Sequence, residues 1–147
     1  MYKHILIPTD GSETADKGVK AGLKFAKWAG ARVTVFTAMP EYRMPTTSEV
    51  AARRVMPIAE YERRAMAQAK KVLDGVARRA KAAGVKLEAE AVLSDRPAAA
   101  IIEAARKNRC DLIFLASHGR KGLSALFNGS HTETILRHSK TPTLVYR

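Results

Sequence analysis

Hydrophobic positions along the chain alternate between two periods. Lys3 to Pro8 (K-H-I-L-I-P) reads as a first strand, and Ala31 to Ala38 (A-R-V-T-V-F-T-A) as a second, β-branched one. Leu112 to Ala116 is a short, continuously apolar run, the pattern of a strand buried on both faces. Val85 to Leu93 places Leu87, Ala89, Ala91 and Leu93 opposite Lys86, Glu88 and Glu90. That period of two suits a half-exposed strand at a sheet edge. Thr143 to Tyr146, after Pro142, is a final short strand.

Between these runs the period changes to that of a helix. Ser12 is a good N-cap for a helix to about Ala29, with Ala15, Gly18, Val19, Gly22, Leu23, Phe25 and Ala26 small or apolar and Gly30 as its stop. Two interior glycines cost roughly 1 kcal/mol each relative to alanine, and close approach of helix to sheet is the expected return. Pro57 to Ala83 carries one stripe of Ile58, Tyr61, Ala65, Ala69, Val72, Val76, Ala80 and Ala83, ending at Gly84. Ser94-Asp95-Arg96-Pro97 offers an N-cap and a first-turn proline for a helix to about Asn108. Gly129-Ser130 opens a last helical segment, clearest over Thr132 to His138. Met39 to Met56, with Pro40 and Pro45, has little periodicity beyond a helical turn around Ser48 to Arg54. It reads either as a surface excursion or as a lid over a ligand.

Strands alternating with helices of these lengths imply right-handed crossovers and an α/β fold: a doubly wound, mostly parallel sheet of five strands in the order 3-2-1-4-5, helices on both faces, Rossmann-like. Length bounds this to one domain over residues 1–147. In such sheets ligands bind beyond the C-terminal strand ends where the order reverses. That rule brings Pro8-Thr9-Asp10 and Ala116-Ser117-His118-Gly119 to one crevice.

Composition narrows the function. No run approaches the roughly 18 apolar residues of a membrane span, and the opening residues lack the apolar core of a signal peptide. The single cysteine, Cys110, reads as a small core residue, and a cytoplasmic protein is expected. The net charge of +12 favours polyanionic partners. Yet Lys and Arg are scattered in short pairs such as Arg53-Arg54 and Lys70-Lys71, the pattern of solvated helix faces, so nucleic acid is not the expected partner. The histidines show no metal spacing, there is no Walker P-loop or G-x-G-x-x-G, and no nucleophile lies beside a base. A dedicated catalyst is not expected.

Three stretches together resemble the universal stress protein family: Ile5-Leu-Ile-Pro-Thr-Asp-Gly-Ser12, the spaced pair Ala116-Ser-His-Gly119 and Gly129-Ser130 with nine residues between, and Pro142-Thr-Leu-Val-Tyr146. The second is similar to the family's nucleotide signature of Gly, two residues, Gly, nine residues, Gly-Ser/Thr, with Ala116 in place of the first glycine. The resemblance implies ATP as ligand, Mg accompanying its phosphates, and Asp10 approaching the ribose or a metal-linked phosphate. Pro8 and Ala38 would flank the adenine, and Gly119, Gly129, Ser130 and the His131 main chain would hold the phosphates. Arg120 adds charge at the loop. Ala116 either crowds the ribose or fits with extended backbone. The family also implies a homodimer through Thr143, Leu144, Val145 and Tyr146, an edge strand being suited to pairing.

Simpler readings stand beside these. Ser130-His-Thr-Glu133 fits a capping box, and Asp10 in a T-D-G-S turn can bond its own backbone. A nucleotide-binding stress-response module is the leading function, with at most slow ATP hydrolysis. The alternatives are a nucleotide-free dimeric interaction protein of the same fold and, third, a basic nucleic-acid binder, which lacks an aromatic RNA platform motif or helix-turn-helix.

Overall fold

A computed structural model describes residues 1–117 and 129–147. Five parallel strands, β1 (His4–Pro8), β2 (Arg32–Met39), β3 (Leu87–Leu93), β4 (Leu112–Ala116) and β5 (Thr143–Tyr146), form one sheet in the order β3-β2-β1-β4-β5. The expected topology is thus the observed one. The connecting helices are α1 (Glu13–Ala29), α2 (Thr47–Ala51), α3 (Ile58–Ala83), α4 (Pro97–Lys107) and α5 (Gly129–His138).

Strand alternation sorts the core into two layers. Ile5, Ile7, Val33, Val35, Leu112 and Phe114 pack with α1 and α3. Leu6, Phe36, Ile113 and Leu115 pack with Ile101 of α4 and Ile135 of α5. The central strands β1 and β4 are buried along their whole length, while β3 at the edge is half-exposed, as its period of two predicts.

Helix α1 is placed by its two glycines. A Cβ at Gly18 would collide with the methyl carbon of Ala116 and come within 3.3 Å of its Cα; one at Gly22 would meet Ile7 Cδ1 at 2.7 Å and Phe114 Cδ1 at 3.2 Å. The helix therefore lies flush on β1 and β4 because these positions are glycine. Ser12 caps it, accepting the Ala15 N–H at 3.2 Å.

Helix α3 departs from the expected stripe. Ala65, Ala69, Leu73, Val76 and Ala80 are buried, so Leu73 takes the central position in place of Val72, and Ile58 is 54% exposed. At 1.5 Å per residue its 26 residues span about 39 Å, against roughly 23 Å for the seven of β3. The first turns of α3 project past the sheet and pack instead against the connection after β2, with Tyr61 edge-on to Tyr42. There the connection after β2 folds on itself: Tyr42 Oη donates to the Met56 carbonyl and Tyr61 Oη to the Pro40 carbonyl, both at 2.7 Å. Helix α2 begins at a capping box between Thr46 and Glu49, its N-cap two residues before the expected turn. Bonds from the Arg43 guanidinium and from Thr46 hold Glu49 down at about 2.

A small polar group is buried at the other end of the sheet. His4 is 4% exposed; its Nε2 bonds Thr34 Oγ1 at 2.8 Å, and its Nδ1 makes no well-formed hydrogen bond among the described residues. Burial, reinforced by Arg32, lowers the His4 pKa below its usual value. Burial also pushes the Cys110 thiol up to about 11, consistent with an inert core residue.

Two predictions follow from this packing. Gly18→Ala destabilises by about 1–3 kcal/mol through overpacking, and Ala116→Gly added to it recovers most of that loss. The check is a double-mutant cycle from urea unfolding, where strictly additive costs would refute the contact. Separately, because the folded-state pKa of His4 lies below its unfolded value near 6.5, the unfolded chain binds the extra proton first. The stability His4 contributes is complete above about pH 6.5 and declines as pH falls, by at most about 1.4 kcal/mol per unit. His4→Gln makes unfolding free energy between pH 7 and 5 less steep, and an unchanged slope counts against the assignment.

Candidate functional site

All the crossovers leave their strands at the same end of the sheet. There the turn after β1, the end of β2, the turn from β3 into α4, and the first turn of α5 enclose a cavity of about 360 Å³. It is lined by Asp10, Thr37, Ala38, Met39, Pro40, Ser94, Asp95, Pro97 and His131. The volume falls in the range of small-molecule sites.

Each wall is braced by its own local chemistry. In Thr9-Asp10-Gly11-Ser12, Asp10 Oδ1 accepts the Ser12 N–H at 2.9 Å and Thr9 Oγ1 accepts the Gly11 N–H at 3.2 Å. Gly11 takes φ 77°, a left-handed conformation that favours glycine. Asp10 therefore does bond its own backbone, but with one oxygen. Its Oδ2 makes no hydrogen bond among the described residues and is available to a ligand at the cavity wall. The Ser94 N–H donates to the Met39 carbonyl at 2.8 Å, joining the ends of β2 and β3. Ser94 Oγ accepts the Arg96 N–H and Asp95 Oδ1 accepts the Glu41 N–H at 2.9 Å. Ser94 thus braces the turn; the N-cap of α4 is Arg96, which makes no side-chain cap.

Chemically, the cavity offers two kinds of surface. Ala38, Met39, Pro40 and Pro97 present apolar area suited to a flat heterocycle, and Asp10, Thr37, Ser94 and Asp95 present hydroxyl and carboxylate groups suited to a polyol. The start of α5 supplies N–H groups and the positive end of a helix dipole, which attract anions. Among the described residues, no three His, Cys, Asp or Glu side chains form a metal site.

Of the residues singled out from the sequence, the structure brings Asp10, Ala38 and His131 into this one cavity. Gly129 and Ser130 are exposed in the first turn of α5, and a Cβ at Gly129 would meet nothing within 4 Å among the described residues. Glu133 pairs with Arg137 at 2.7 Å, and Ser130 lies inside the helix, so the pair is not arranged as a capping box. Pro8 is buried within β1 and does not line the cavity. Gly119 and Arg120 lie outside the described residues. Thr143 to Tyr146 form the edge strand β5, with Tyr146 43% exposed.

Ala116 has a definite place. Its side chain is 4% exposed and packs against Ala15 and the gap left by Gly18, on the α1 face of the sheet. It is not among the cavity-lining residues. The methyl group that replaces the signature glycine is accommodated by the helix behind it. Sequence reasoning missed the wall formed by Thr37, Met39, Pro40, Ser94, Asp95 and Pro97. The signal was the Ser94-Asp95-x-Pro97 turn directly after a strand, at the same end as Asp10.

Comparison with known proteins places the fold. The universal stress protein family model matches residues 1–147. A universal stress protein of Thermus aquaticus, encoded in the QAH/OAS sulfhydrylase 3′ region, is 33% identical over 150 aligned positions covering all of both chains. The solved structure of MJ0577, a universal stress protein of Methanocaldococcus jannaschii, is 27% identical, with 99% of this chain and 95% of that one covered at a TM-score of 0.76. A universal stress protein solved in complex with cAMP matches at 24% identity and TM-score 0.66, covering 99% and 97% of the two chains. The chain belongs to the universal stress protein family.

Proposed function

We propose that this protein is a stress-response module that binds an adenine nucleotide, ATP, in the cavity at the C-terminal strand ends. The observation that carries the reading is the meeting of Asp10, with one carboxylate oxygen uncommitted, and His131 of the first turn of α5 in one cavity wall. A base would lie against Ala38, Met39, Pro40 and Pro97, the ribose would meet Asp10, and the phosphates would extend toward Gly129 and Ser130. Mg would accompany the phosphates, with Asp10 as its nearest carboxylate. A fold relative was solved in complex with cAMP, which agrees with a purine nucleotide as the class of ligand. The role is to hold the nucleotide and present its occupancy to a partner, with at most slow hydrolysis.

The expected measurement is a thermal shift. At 100 times Kd, MgATP adds about 2.7 kcal/mol, which moves Tm up by roughly 5–10 °C for a domain of this size. Gly129→Arg, for which the fold leaves room, keeps its unliganded Tm and loses most of the shift. No shift in the native protein overturns the reading, and a full shift in the variant overturns the phosphate assignment.

The same module is proposed to act as a homodimer through β5. In the parallel ladder, Ile113 and Ser117 donate to the carbonyls of Pro142 and Tyr146, so the backbone groups of Thr143 and Val145 face the open edge. A strand edge of this kind pairs readily with a second copy. Val145→Pro removes an outward N–H and leaves the bonds to β4 in place. Light scattering is expected to show two chains for the native protein and one for the variant; two chains in both would exclude pairing through this strand.

A further inference from the structure

The scattered cations of the sequence are collected by the topology. Every long helix runs antiparallel to the strands, so helix C-termini and strand starts share one end, opposite the nucleotide cavity. Lys27 and Lys81 stand in the last turns of α1 and α3, Lys3 and Lys86 precede β1 and β3, and Arg109 and Lys140 precede β4 and β5. All six are exposed and none forms an ion pair among the described residues. The carboxylates at this end are already engaged: Glu88 by Arg32, Glu90 by Lys107, Glu103 by Arg106, and Asp111 by the Lys3 and His4 N–H groups. Acidic residues Glu13 and Asp16 begin α1 at the other end, beside Asp10 and Asp95.

This end also has shape. A cleft of about 390 Å³ opens between the C-termini of α1 and α3, lined by Lys3, Lys27, Arg32 and Lys86. Beside Lys27, the ring of Trp28 is 71% exposed, supported by Phe25 at a centroid distance of 5.7 Å. The cations continue from the cleft to Arg109 and Lys140, across the roughly 19 Å that five strands span, farther than one small anion reaches. A membrane surface fits poorly, because the apolar face of α1 (Ala15, Val19, Leu23, Ala26) is buried against the sheet and cannot enter lipid. A row of unpaired cations beside an exposed indole matches a chain of phosphates with unstacked bases.

We propose that the basic end binds single-stranded nucleic acid, with Trp28 stacking on a base and Lys3, Lys27 and Lys86 holding the backbone. Trp28 is the only tryptophan in the chain, so its emission reports the contact directly.

The test titrates labelled oligo-thymidine into the full chain by anisotropy at several salt concentrations, with Trp28 emission followed in parallel. Binding is expected with quenched emission and a log–log salt slope of about −4 for six phosphate contacts. Lys27→Glu with Lys86→Glu weakens binding at least about 10-fold and makes the slope shallower by about 1.4. Lys17→Glu with Arg63→Glu, the same charge change toward the other end, leaves Kd within about twofold. Trp28→Ala costs about 10-fold. Equal losses in the two charge-reversal pairs, unquenched emission, tighter binding to duplex, or displacement of the strand by saturating MgATP would each overturn the proposal.

Discussion

The rest of the structure depends on how closely α1 approaches the sheet. Gly18 and Gly22 remove the side chains that would hold the helix away from Ala116, Ile7 and Phe114. Two interior glycines weaken the helix by about 2 kcal/mol in total, an outlay offset by burying Ala15, Val19, Leu23 and Ala26 against β1 and β4. The same contact fixes what precedes α1. Because Ser12 caps the helix and Asp10 bonds the Ser12 N–H, the carboxylate at the cavity wall is positioned by the seating of the helix. Ala116 belongs to this arrangement, since its methyl group fills the space that Gly18 vacates.

Much of this was legible in the sequence. The parallel, doubly wound class followed from the alternation of periods and the handedness of crossovers, the order 3-2-1-4-5 was one expectation for that class, and the double burial of Leu112 to Ala116 followed from its unbroken apolar run. What escaped was information carried by tertiary length and register. Ile58 has the spacing of a core residue, but it lies on a turn that extends past the sheet. Val72 and Leu73 both fit a period of 3.6, and only the angle at which α3 meets the sheet selects Leu73. The Thr46–Glu49 capping box was present in the letters, T-T-S-E, within a stretch dominated by prolines. Ser94 and Glu133 show the converse: both fit capping patterns, yet Ser94 closes a turn and Glu133 pairs forward with Arg137. The Ala116 question needed coordinates, because sequence alone does not say which face of a strand a methyl group occupies relative to a helix about a hundred residues earlier.

Helix polarity gives the molecule two unlike ends. Acidic residues favour first turns and basic ones last turns, and here parallel strands with antiparallel helices bring those turns together. Around the cavity the consequence is a demand on the ligand. Asp10 and Asp95 line it, Glu13 and Asp16 stand nearby, and no lysine or arginine among the described residues lines its wall. In the proposed reading a triphosphate placed there would meet like charge, which the amides at the start of α5, Arg120 of the loop before it and a divalent ion carried by the nucleotide would offset. The acidic wall also sets the two ends apart: a polyanion drawn to the basic end gains nothing at the cavity. In the proposed readings a nucleotide occupies one end while the other remains open, and α1, running from Ser12 beside Asp10 to Lys27 at the basic cleft, joins the two.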